Sequence, residues 1–339
     1  MIDMTLFIMI ATFLLTLIAL FIFMKYAKAF GFIDLPNHRS MHTKTIPRGA
    51  GIAFVLSSLL VLLLLTLFDY GESQSFSLIY LSIAIIFIGG ILDDYKGISP
   101  KLKFLFILFA TFLLTVDGIF IHSLGVYLGY EITLPTLLAI PFTFFAIAGF
   151  TNALNLLDGL DGLAGTVSVI MMGAFIWIGY THHDTLMVTL SAIFMASLVA
   201  FLLFNWYPAK FFMGDSGSLT LGFVIAILAI RAMDHIAPTA VLFILAIPVL
   251  DTFVVITRRV QRGRSPLMAD KNHMHHILFN RYEDMKYTVI VLIGIQIAFT
   301  MIGLQLQHAD NFLSLILFGL LFFLLMALLD QRRRHRNNR

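Results

Sequence analysis

About eleven separate stretches of this chain are apolar for close to the ~20 residues that a helix needs to cross the ~30 Å hydrocarbon core of a bilayer. They fall near residues 4–24, 49–68, 76–92, 102–118, 134–151, 163–181, 185–204, 218–233, 238–257, 287–306 and 312–329. Inside a bilayer each segment must satisfy its own backbone polar groups, so these stretches predict helices. Composition agrees. The 339 residues are 60% hydrophobic and only 12% charged, against about 25% charged in soluble domains, and the mean hydropathy is +0.95. The expected fold class is all-α: a polytopic membrane protein with about eleven transmembrane helices. It forms one transmembrane domain over residues 1–339, ending in a basic tail at 330–339.

The first apolar run is too long for the h-region of a cleaved signal. It also lacks a basic n-region and a clear cleavage site, so a retained span is expected. Cysteine is absent, which removes disulfides and thiolate metal sites. Threading the loops through an odd number of spans brings 25–48, 93–101, 152–162, 205–217, 258–286 and the tail to one face, with Lys103 at its border. Of the 22 Lys and Arg, only Arg231 falls at the other face. The positive-inside rule makes the crowded face cytoplasmic. The tail RRRHRNNR reads as a topology anchor on anionic lipid.

Every unusual polar cluster lies on that same face. In Asn152–Gly165, NALNLLDGLDGLAG, the residues Asn152, Asn155, Asp158 and Asp161 come at steps of three, which lines them along one side of a helical turn. Oxygen ligands so arranged suit a hard cation and a phosphate, although a polar capping loop has similar composition. Asp93 and Asp94 are adjacent carboxylates at a membrane border, a repulsion best offset by a cation. Lys44 and Arg48 in the first loop are counter-charges for a phosphate, with Gly49 and Gly51 allowing close backbone approach. Asp215, in FMGDSGS, reads either as a helix cap or as a metal ligand at a helix N-terminus. Phe211 and Phe212 could stack on a base or face core and lipid.

In the largest loop, His273, His275 and His276 lie within four residues. A zinc site is the minor reading, because no cysteine is available. Imidazoles beside Arg258, Arg259 and Lys271 better suit a diphosphate or a nucleotide's sugar. Asp251 lies inside a span and is a functional candidate, with a hydroxyl or Arg258 as the competing structural partner.

The order Asp-Asp, NALNLLDGLDGLAG, FMGDSGS and ADKNHMHHIL resembles the polyprenyl-phosphate N-acetylhexosamine-1-phosphate transferases (glycosyltransferase 4), and the likeness spans nearly the whole chain. The resemblance implies eleven helices and a cytoplasmic site in the bacterial plasma membrane. It also implies transfer of a sugar-1-phosphate from a UDP-sugar to undecaprenyl phosphate, with release of UMP and a requirement for Mg²⁺, for which Mn²⁺ substitutes.

Family motifs carry over onto Asp93, Asp94, Asp158 and Asp161 as catalytic acids, and onto His273, His275 and His276 as the histidine motif. Asp215 carries over as a metal ligand, with Asp94 or Asp158 second. Asn205 and Phe212 fall where relatives contact uracil, and Asn152, Asn155, Lys44, Arg48 and Lys271 join the substrate contacts. The spacing around Lys44 departs from the pattern of the peptidoglycan branch. The Asp270-Lys271 before the histidines looks like the N-acetylglucosamine branch, which favours UDP-GlcNAc over UDP-MurNAc-pentapeptide. The expected partners are therefore UDP-GlcNAc, undecaprenyl phosphate and membrane lipid, without nucleic acid, and a homodimer is left open. A transporter would want ionisable residues near the midplane and on both sides of it, whereas here only Asp251 lies within a span.

Overall fold

The structure, a computed structural model, describes residues 2–34, 46–68, 77–263, 265 and 273–336. Each expected span falls on a helix: α1 (Ile2–Tyr26), α2 (Gly51–Leu67), α3 (Ser77–Lys96), α4 (Pro100–Val116), α5 (Thr136–Leu157), α6 (Leu163–Thr181), α7 (Thr185–Asn205), α8 (Asp215–Ala232), α9 (Pro238–Ile244), α10 (Ala246–Gln261), α12 (Met285–Gln305) and α13 (Asn311–Arg336). A short α11 (Met274–Tyr282) precedes α12. Among the described residues, 8 helices are long and apolar enough to cross a membrane alone, and α9 with α10 makes a bent ninth. α2 and α4 are 17 residues each. The chain is a multi-pass, all-α membrane protein. Beyond the helices, the described residues form two small antiparallel strand pairs, β1 (Ile33–Asp34) with β2 (Ile46–Pro47), and the hairpin of β3 (Ser123–Tyr127) with β4 (Tyr130–Thr133).

α8 is the central post. Its apolar window is 89% buried, against 22% for α1 and for α13, which face lipid. A helix apolar on all sides is stable in the middle of a bundle, and α8 packs against α2, α3, α5 and α6. Small residues let these backbones approach, as expected between membrane helices. A Cβ at Gly222 would meet the Cα of Thr151 on α5 at 2.8 Å, and one at Gly90 of α3 would meet the Cα of Ser216 at 2.5 Å.

The stretch 238–257 reads as one span in the sequence, and the structure breaks it at Leu245 with an 87° bend. Pro248 supplies the cause: it has no N–H, and its ring clashes with the carbonyl four residues earlier, that of Ile244. The freed groups are not left bare. Buried Gln296 of α12 donates to Ile244 O (2.7 Å), and its Oε1 accepts Ile247 N–H (3.0 Å). Such repair is what makes a break tolerable at membrane depth.

The β3–β4 hairpin occupies the loop between α4 and α5. Leu128 and Gly129 both take positive φ, which closes a tight two-residue turn. Asn311 pins it, donating to Val126 O (3.2 Å) while its oxygen accepts the Thr239 hydroxyl (2.8 Å). Leu124 and Tyr127 thereby close over an apolar cavity of about 270 Å³ between α5, α8 and α9. Arg231, the isolated cation of that end, is bound by Asp184, the cap of α7, at 2.6 Å.

Candidate active site

The end of α3 and the start of α8 meet through a carboxylate. Asp94 accepts the amide N–H of Asp215 at Oδ1 (2.8 Å) and that of Ser216 at Oδ2 (2.9 Å). It thus places a negative charge on the positive end of the central helix. The approach requires glycine at 214, where φ is +75° and an added Cβ would lie 2.6 Å from Asp94 Oδ2.

Asp215 then turns its own carboxylate to two cations. Arg48 Nη2 lies 3.0 Å from Oδ1, and Lys103 contacts Oδ2. Arg48 Nε is also 3.4 Å from Asp94, and Lys103 bridges to Asp93 Oδ2 at 2.7 Å. The other Asp93 oxygen accepts Ile98 N–H (2.8 Å). Arg48 was legible as a basic loop residue. Lys103 carries its own signal in the sequence, a lysine in the first turn of an apolar span.

Asp158 completes the cluster from the far end of α5, which it caps. Its carboxyl accepts no hydrogen bond among the described residues. Its pKa is pushed well above the ordinary carboxylate range, first by enclosure and then by the charges of Asp215, Asp94 and Asp161, with Arg48 acting the other way. Asn155, one turn earlier, donates to Ser218 Oγ of α8 (2.8 Å), while Asn152 is exposed.

Two further predicted residues hold the loops together. Asp161 Oδ2 accepts Ala209 N–H (2.9 Å). Asn205 is buried, accepting Gly162 N–H (3.0 Å) and donating to Phe211 O (3.0 Å). Of the two phenylalanines, Phe211 is wholly buried among Phe23, Phe201 and Phe204, which removes it as a base-stacking platform. Phe212 is half-buried, and its backbone pairs with that of Arg48. Lys44 and Lys271 lie outside the described residues.

The histidines form a row beside this cluster. His273 stacks on His275 (centroids 5.5 Å apart), and His275 lies 4.3 Å from His276. His275 is buried, with Nε2 so close to Gly159 that an added Cβ there would lie 2.8 Å from it. The row therefore rests on the loop that carries Asp158. Arg258 is buried and forms an ion pair with Asp330 of α13.

Burial lowers the His275 pKa from 6.5 to about 3. An unfolded chain therefore binds a proton between those values that the folded chain does not. Stability from this group is complete above pH 6.5 and is lost as pH falls toward 3. The slope is at most ~1.4 kcal/mol per pH unit. The melting temperature in detergent should fall between pH 7 and pH 4.5, on the order of this slope, and His275→Asn should flatten the fall. An unchanged slope in the variant would contradict the assignment.

Four carboxyls thus face two fixed cations, Arg48 and Lys103. No group of three or more His, Asp or Glu among the described residues converges as a ready-made cage. Mg²⁺ fits these terms, since it takes one or two carboxylates and completes its shell with phosphate oxygens and water. The unpartnered carboxyl of Asp158 beside Asp215 is where such an ion would find oxygen, displacing the proton that crowding favours.

Comparison with known proteins identifies relatives of this chain. Residues 76–233 match the family described as glycosyl transferase family 4. The chain is 33% identical over 307 residues to a probable undecaprenyl-phosphate N-acetylglucosaminyl 1-phosphate transferase of Bacillus subtilis (strain 168), covering 88% of this chain and 84% of the relative. It is 30% identical over 335 residues to an undecaprenyl-phosphate alpha-N-acetylglucosaminyl 1-phosphate transferase of Yersinia pestis (93% and 89% covered). To the Escherichia coli (strain K12) protein of that same description it is 28% identical over 333 residues (93% and 88%).

Proposed function

Because the chain belongs to glycosyl transferase family 4, we propose that it moves N-acetylglucosamine 1-phosphate from UDP-N-acetylglucosamine to undecaprenyl phosphate, releasing UMP. The product, undecaprenyl-diphospho-N-acetylglucosamine, is the kind of lipid-linked sugar on which a teichoic acid or O-antigen is built. The observation that carries this reading is the surplus of carboxyls over cations at the ends of α3, α5 and α8. The site faces the cytoplasm of a bacterial plasma membrane, by the distribution of basic loops.

The step exchanges one phosphoanhydride for another. An oxygen of the lipid phosphate bonds to the β-phosphorus of the donor, the bond from that phosphorus to the bridging oxygen breaks, and UMP leaves with the electron pair. A phosphate monoester has its second pKa near ~6, so the attacking group is already largely dianionic and needs little base catalysis. Catalysis then rests on positioning and charge neutralisation. Mg²⁺, or Mn²⁺ in its place, would supply a Lewis acid for the phosphate oxygens when bound. Arg48 and Lys103, held on Asp215, Asp94 and Asp93 in this structure, are the cations available to those oxygens. Asp215 and Asp158 would hold the metal, and Asp94 keeps the start of α8 in place. Because the site lies at helix ends, the polyprenyl tail stays in lipid while its head meets a soluble nucleotide.

Purified protein in detergent should release UMP only when UDP-N-acetylglucosamine, undecaprenyl phosphate and Mg²⁺ are all present. EDTA should abolish release and added Mn²⁺ restore it. UMP release without the lipid, or with the metal stripped, contradicts the reading.

A further inference from the structure

Asp251 stands outside the acidic cluster. It lies a little over one turn into α10, and its carboxylate is almost fully buried, at 2% exposure. A carboxylate so placed is costly unless every lone pair is answered. Of the two arginines in the last turn of its own helix, Arg258 and Arg259, Arg258 pairs with Asp330. Asp251 is answered by the histidine segment: Oδ2 lies 2.6 Å from His273 Nδ1, and Oδ1 accepts Met274 N–H at 2.5 Å.

Both contacts act on the first turn of α11. His273 occupies the N-cap position and offers no side-chain cap of its own. The cap comes from Asp251, across the loop between α10 and α11. An ionised carboxylate only accepts, so His273 must carry a proton on Nδ1, and Nε2 is the nitrogen turned away from Asp251. His273 stacks on His275, and His275 rests on Gly159, next to Asp158. Fixing the first ring fixes the row against the acidic loop.

We propose that Asp251 is the positioning residue of the transfer centre, holding His273 by its Nδ1–H so that Nε2, when it carries a proton, donates to a phosphate oxygen of the substrates. This rests on the transferase reading above and deepens it. Asp251 touches no substrate; it acts through His273. The arrangement is a carboxylate–imidazole pair of the kind that sets ring orientation and tautomer at catalytic and metal centres.

The variant Asp251→Asn keeps size and removes the obligate acceptor. Its amide nitrogen either opposes the Nδ1 proton or imposes the other tautomer. With full-length protein in detergent, UDP-N-acetylglucosamine and undecaprenyl phosphate, Asp251→Asn should lower kcat at least about tenfold, with KM for the nucleotide sugar within about threefold. Asp251→Glu, which keeps the charge, should retain more kcat than Asp251→Asn. His273→Gln should lose a similar factor, and the double variant should be no worse than His273→Gln alone, because the two residues act as one unit. A purely structural cap would lower the melting temperature and multiply the losses.

Asp251→Asn within about twofold of wild type, multiplying losses, or a glutamate less active than the asparagine would each overturn the proposal. Should Asp251→Asn fail to fold, His273→Gln decides: a kcat within about twofold of wild type leaves Asp251 nothing to position. If the wild type forms no lipid product, the transferase reading falls and this inference with it. An active wild type with indifferent variants sinks the inference alone.

Discussion

Asp215→Asn is expected to reduce kcat by ~10²–10³-fold while the protein still folds. Asparagine preserves volume, and the turn that begins α8 is held from outside, by Asp94 accepting the amides of residues 215 and 216. What is lost is the one carboxylate among the described residues that both Arg48 and Lys103 are seen to touch. Lys103 then rests on Asp93 alone, and Arg48 on Asp94 at 3.4 Å. A neutral amide is also a much weaker ligand for a hard cation than a carboxylate. The variant should therefore need more Mg²⁺ for its residual activity as well as turn over slowly. Turnover within about threefold of wild type at equal Mg²⁺ would mean that the centre lies elsewhere.

Gly51→Ala should be almost as damaging, by a different route. An added Cβ at Gly51 would lie 2.2 Å from the amide nitrogen of Gly217 and 2.9 Å from Met213 O. These are backbone atoms, with no rotamer to relieve the overlap, so α2 and α8 must part by roughly 1 Å. The same contact is stitched by Gly51 N–H to Met213 O (2.8 Å) and Ala50 N–H to Phe212 O (3.0 Å), just beyond Arg48. Separation pulls Arg48 from Asp215. A destabilisation of ~2–4 kcal/mol is expected, and a further loss of activity of about 10²-fold, since a displacement of that size at a reacting centre costs as much. Gly173→Ala in α6 is the control: nothing lies within 4 Å of its added Cβ, so melting temperature and turnover should hold. Equal behaviour of the two variants would contradict the packing described here.

The membrane helices were legible because a bilayer imposes one length and one composition, and α1, α12 and α13 meet both without help from neighbours. The break at Leu245 was not. Pro248 is visible in the sequence, but prolines are tolerated in membrane helices when partners re-satisfy the backbone, and the partner, Gln296, is distant in the chain. The β3–β4 hairpin was missed for lack of a strong alternation, its turn resting on Leu128 in an unusual conformation.

At the site, residue types and helix-end placement exposed Asp93, Asp94, Asp158 and Asp215, which the structure brings together. Their division of labour was hidden. Spacing does not reveal that Asp94 caps α8, that Asn205 is engaged by backbone at both ends, or that Asp251 answers His273 rather than Arg258. Those are tertiary facts, fixed by glycine-permitted approaches such as Gly90 against Ser216.

The claim that the site cuts between two phosphates is tested most directly with UDP-N-acetylglucosamine carrying radioactive phosphorus only at the β position. With undecaprenyl phosphate and Mg²⁺, the label should pass into the lipid and the released nucleotide should be unlabelled UMP. Label retained in released UDP, with only the sugar on the lipid, would contradict the account.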